Sequence, residues 1–142
     1  MSLKDEKKVI EVCNTYFQSF NFVSTADVDQ YCVYDAEDEN HILEIKVRNK
    51  DYGDVSVEVR KIEALRAKAA ELGKIPYLLT VNDSGYHFVD VRKKYNETEF
   101  EVRKTTDFYS KNNHRRPTLF GQYFFDDLHI PARQVKAILK RL

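Results

Sequence analysis

The segment His41–Lys50 reads "HILEIKVRNK", and its alternation decides the fold. Successive side chains of a strand point to opposite faces, so Ile42, Glu44 and Lys46 share one face of a predicted strand. Ile42 anchors that face to a core, which puts a carboxylate and an ammonium beside apolar packing. Desolvating either charge alone is expensive, so each needs a partner, a metal ion or a substrate.

Upstream, "STADVDQYCVYDAEDENHILEIKVR" reads as two strands joined by an acidic turn at Ala36 to Asn40. Pairing residue 29 with 44, or with 46 in a register shifted by two, sets Asp29 next to Glu44 and Lys46 on their face. Asp27 lies on that face one step nearer the start of the strand. Asp29 is preferred because a short hairpin brings it opposite Glu44, and Asp27 stays open as the alternative. Two carboxylates held this close repel unless one is protonated or a divalent cation neutralises them, and their oxygens suit Mg2+ or Mn2+. A neighbouring lysine can help deprotonate a water and offset charge on a phosphate.

On either side of this hairpin the spacing predicts helices. From Leu3 to Phe20, apolar residues recur at Val9, Ile10, Cys13, Tyr16, Phe17 and Phe20, with Glu6 inside their arc and Glu11 opposite. In "VSVEVRKIEALRAKAAELGK", Ile62, Leu65, Ala69 and Leu72 form a second stripe, closed by Gly73. Lys61 borders that stripe in the first turn, whereas Arg60 points away. "PYLLTVND" and "YHFVDVRKK" follow as two strands, the first apolar enough to be central. "TEFEVRKTT" reads as a further strand, "YSKNNHRRP" as a basic loop and "GQYFFDD" as a short aromatic strand able to serve as an edge. "PARQVKAILKRL" is a closing helix with Pro131 at its start.

A chain of 142 residues, 42% hydrophobic, is expected to form one domain over residues 1–142. No apolar run approaches the roughly 20 residues that span a bilayer, so a soluble, cytoplasmic protein is expected. Cys13 and Cys32 read as core thiols, and His41, His87, His114 and His129 have no metal-ligand spacing. Neither GxxxxGK nor GxSxG occurs, which removes the usual phosphate loop and serine-hydrolase elbow. Net charge is zero, yet residues 1–58 carry 6 basic and 13 acidic side chains and residues 59–142 carry 17 and 10. An acidic half suited to cations thus adjoins a basic half suited to phosphates.

A helix with an inward acid, an aspartate, Glu-x-Lys on a strand, then a helix with a basic residue at its start: this order closely resembles the PD-(D/E)XK nuclease superfamily. The nearest likeness is to its small single-domain members, such as archaeal Holliday-junction resolvases and phage-encoded nucleases, over Leu3 to about Arg92. The resemblance implies an α/β, restriction-endonuclease-like fold with a mixed central sheet flanked by helices. It also implies a Mg2+- or Mn2+-dependent endonuclease. By motif position, Asp29 (or Asp27), Glu44 and the carbonyl of Ile45 would hold the metal, Lys46 would serve the attacking water, Glu6 would support the site and Lys61 would be the basic residue of the following helix. No proline precedes either aspartate, a departure from the motif. The expected partner is nucleic acid, DNA rather than RNA, touched by Arg48, Lys50, Arg115 and Arg116, with Tyr95, Tyr109 and Tyr123 available for stacking. A homodimer is the expected assembly. The competing reading is a non-catalytic nucleic-acid-binding or assembly module on the same fold.

Overall fold

The computed structural model describes residues 3–27, 32–103, 115–126 and 128–142. Helix α1 (Leu3–Tyr16) leads through β1 (Val23–Ser24) and a short 3-10 turn (Thr25–Asp27) to β2 (Ala36–Glu37) and β3 (His41–Val47). Strand β4 (Asp54–Glu58) runs directly into α2 (Val59–Leu72), followed by β5 (Ile75–Asn82), β6 (Gly85–Asp90), β7 (Asn96–Arg103), β8 (Arg115–Phe124), β9 (His129–Pro131) and α3 (Ala132–Leu139). The six-stranded sheet has the order β1-β2-β3-β5-β6-β9, and a three-stranded sheet has the order β4-β8-β7. Among the described strands only the β3–β5 pairing is parallel, with α2 in the crossover, so the large sheet is mixed as expected.

Alternation along β3 sorts the core into two layers. Leu43 and Ile45 face Val9, Val12 and Cys13 of α1 and Val135 and Ile138 of α3. Ile42 faces the other way, toward Ile62, Leu65 and Ala69 of α2 and Val55, Val57 and Tyr123 of the smaller sheet. Glu44 and Lys46 therefore open on the α2 side. Gly73 closes α2 in the left-handed conformation, its N–H reaching the carbonyls of Ala69 and Ala70.

Several expectations need correction. The first hairpin is far tighter than predicted: Ala36 pairs with Leu43 and Glu37 with Ile42, so Ala36 and Glu37 are strand, not turn. The cause is Asp38, whose carboxylate accepts N–H bonds from Asn40 (2.9 Å) and His41 (2.8 Å) and closes the turn in three residues. Upstream, the chain leaves the sheet in the 3-10 turn at Thr25 instead of continuing as a long strand. Strand β4 was hidden inside the predicted helical stretch, because Val55 and Val57 alternate with polar residues only briefly before α2 starts. The "GQYF" of "GQYFFDD" is the end of a ten-residue strand that lies between β4 and β7, so it is no free edge. Arg115 and Arg116 begin that strand, opposite Arg103 and Val102, and are not in a loop. Tyr123 is buried, its hydroxyl donating to the Val91 carbonyl at 2.8 Å, which removes it from the stacking candidates. Tyr109, His114 and Asp29 lie outside the described residues.

Candidate active site

Extending the β2–β3 ladder by one step places Asp35 opposite Glu44, and its backbone N–H donates to the Leu43 carbonyl at 2.8 Å. The Asp35 carboxylate then accepts the N–H of Ile45 at 2.7 Å. Leu43 and Ile45 thus turn their peptide groups toward the same edge of β3, and the Ile45 carbonyl shares that edge. Asp35 and Glu44 therefore stand opposite each other just before β2 begins, with the Ile45 carbonyl on the same edge. Sequence reasoning missed Asp35. Its signal was the Asp38–His41 turn, since a turn that short leaves only residue 35 to face residue 44.

Lys46 Nζ sits 3.3 Å from Glu44 Oε1, and both side chains are more than four-fifths buried. Burial, followed by the charge of Asp35, pushes the Glu44 carboxyl up to about 7 against the opposing pull of Lys46 and Lys61. Asp35 is raised as well, by burial, with the Ile45 N–H, Lys46 and Lys61 opposing. Lys61 stands exposed in the first turn of α2, close enough for its charge to act on both acids. A pocket of about 410 Å³, lined by Cys32, Val33, Asp35, Glu44, Arg60 and Lys61 among others, gives access to the two carboxylates.

The remaining candidates fall elsewhere. Glu6 accepts a hydrogen bond from Ser24 Oγ at 3.1 Å on edge strand β1, and it is not among the charges that shift Asp35 or Glu44. Asp27 ends the 3-10 turn. Arg48 and Lys50 are exposed in the loop after β3. Cys13 is buried, whereas Cys32 is only half-buried and lines the pocket.

The donor set fits a small divalent cation. Two carboxyls that burial raises, Glu44 further by the charge of Asp35, plus a carbonyl, are hard oxygen donors, and Mg2+ commonly takes one or two carboxylates and completes its shell with water. Among the described residues no group of three or more His, Cys, Asp or Glu side chains is placed to hold a metal ion.

No family model and no curated protein matches the sequence. Among solved structures, Hjc, a Holliday junction resolvase from the archaeal hyperthermophile Archaeoglobus fulgidus, is similar with a TM-score of 0.51 at 13% identity. The match covers 95% of this chain and 98% of that one. The chain thus has the restriction-endonuclease-like fold, a mixed sheet flanked by three helices. No helix among the described residues is long and apolar enough to cross a membrane.

Proposed function

We propose that this chain is a PD-(D/E)XK-type nuclease that hydrolyses phosphodiester bonds in DNA with the help of Mg2+ or Mn2+. The observation that carries the reading is the juxtaposition of Asp35, Glu44 and Lys46 at one edge of β3, with both carboxyls pushed toward protonation. Asp35 takes the place given to Asp29 or Asp27 by motif position, because the observed hairpin register sets it opposite Glu44.

Asp35, Glu44 and the Ile45 carbonyl would hold the cation, which when bound supplies Lewis-acid polarisation of the phosphate and a more acidic water. To serve as a ligand Glu44 would lose its proton to solvent and turn its carboxylate from Lys46 to the cation, and Lys46 would then offset charge on the phosphate or hold a proton at the attacking water. Lys61 and Arg60, at the rim of the pocket, draw the phosphate backbone toward the acids. Arg48 and Lys50 extend the positive surface beyond the end of β3. A pair of chains is the expected working unit.

The test is cleavage of a panel of linear, branched and single-stranded DNA and RNA with and without Mg2+. Mg2+-stimulated cleavage that disappears in Glu44→Gln supports the reading. Nucleic-acid binding with no cleavage under any metal would replace it with the binding-module reading, in which Lys46 and Glu44 are a structural pair.

A further inference from the structure

A second pocket, of about 510 Å³, is lined by Arg48, Asn49, Lys50, Tyr52, Asp54, Val55 and Ser56. Tyr52 is 78% exposed, more than any other large hydrophobic side chain among the described residues. One exposed aromatic residue is ordinary by itself. This one stands in a concave site next to two cations, Arg48 and Lys50, for which no carboxylate lies within ion-pair reach among the described residues. The one carboxylate of the lining, Asp54, is engaged by the side-chain amide of Gln122.

The backbone on both sides of Tyr52 is fixed. Asp51 donates its N–H to Asp83 at 3.0 Å and accepts from the Ser84 hydroxyl at 2.5 Å and the Gly53 N–H at 2.7 Å. Gly53, left-handed at φ 78°, receives the Phe125 N–H on its carbonyl at 2.9 Å. The ring is therefore displayed from a loop whose backbone is held on both sides of it, which lowers the ordering cost of binding. Ser56 of this pocket and Arg60 of the carboxylate pocket are separated by the step from β4 into α2, at most roughly 13 Å at strand rise.

We infer that this pocket is a subsite for an unpaired nucleotide, whose base stacks on Tyr52 while its flanking phosphates meet Arg48 and Lys50. The inference rests on the nuclease reading and adds the substrate class to it: DNA with a single-stranded segment next to the scissile bond. A π-face accepts any base, so the subsite selects unpaired structure and not sequence. In a continuous duplex the bases are stacked on each other and Tyr52 has no face to meet.

The experiment is equilibrium binding in EDTA of a labelled oligothymidylate and of a duplex of the same length, to wild type, Tyr52→Ala, Tyr52→Phe and Arg48→Gln/Lys50→Gln. Tyr52→Ala is expected to weaken single-strand binding on the order of tenfold while Tyr52→Phe retains it, and duplex affinity should change much less. The double charge variant should reduce the salt dependence of single-strand binding by a slope of roughly 1.4. Equal affinities of wild type and Tyr52→Ala for the single strand, or equal losses on both probes, would overturn the subsite. If wild type bound neither probe, the nuclease reading would fall with it, whereas metal-dependent cleavage with an indifferent Tyr52→Ala would remove the subsite alone.

Discussion

Two polar clusters on the same face of the large sheet behave in opposite ways. In-register pairing runs from Lys46 on β3 through Thr80 on β5 and His87 on β6 to His129 on β9. At the β6 end the protein satisfies its own groups. Ser84 Oγ lies 2.7 Å from His87 Nε2 and 2.5 Å from the Asp51 carboxylate, His87 stacks on Phe125, and the Ser84 hydroxyl with the Gly53 N–H holds the Asp51 carboxyl below its usual range. At the β3 end burial raises both carboxyls, and the charge of Asp35 raises Glu44 further. An acid lowered by its own neighbours is structural. Acids raised by burial lack such internal compensation, and this contrast separates the candidate site from the Asp51 cluster.

The largest effect should come from breaking the β3 cluster. Asp35→Asn, Glu44→Gln and Lys46→Ala are each expected to lower Mg2+-dependent cleavage on the order of 10³-fold with little change in far-ultraviolet dichroism. Loss of activity accompanied by loss of fold would put Glu44 and Lys46 in the structural class instead.

The raised carboxyl also makes a stability prediction. A group whose folded pKa lies above its unfolded value stabilises fully below the unfolded value and loses that contribution as pH rises through the folded one. For Glu44 the window runs from its ordinary 4.5 to about 7. Urea unfolding of wild type should lose about 3 kcal/mol across it, in the absence of divalent cations, while Glu44→Gln stays nearly flat there. A wild-type profile as flat as the variant's would mean that the carboxyl is not raised.

A smaller effect is expected where the protein satisfies its own acid. Partial burial pushes the Asp38 carboxyl up, but N–H bonds from Asn21 and Asn40 and the contact with His41 bring it below the usual range. Asp38→Ala should cost about 2 kcal/mol by urea unfolding and weaken metal binding as well, since the turn fixes the register that brings Asp35 to Glu44. The smallest change tests the ground between the clusters: Thr80 is fully buried and its hydroxyl has no hydrogen-bond partner among the described residues. Thr80→Val should raise stability by up to about 1 kcal/mol, measured the same way.

What the sequence made legible was whatever local period controls. The alternation in "HILEIKVRNK" placed Glu44 and Lys46 on one face, the stripe Ile62, Leu65 and Ala69 oriented α2 with Lys61 at its rim, and the apolar run "PYLLTVND" marked β5 as central. Long-range register was not legible. Asp38 closes its turn through side-chain bonds that no hydrophobic pattern reports, so the acid opposite Glu44 was sought six residues too early. Strand β4 is short, merges into α2, and finds its partner β8 more than sixty residues later, beyond the reach of any local signal.

The most direct measurement is calorimetric titration of Mg2+ into wild type and Asp35→Asn at pH ~8, where Glu44 is ionised. The account predicts saturable binding to wild type that the substitution abolishes or weakens by at least about tenfold. Equal binding by the two proteins would move the site away from Asp35, and no binding by wild type would contradict the reading of β3 as a cation-dependent active site.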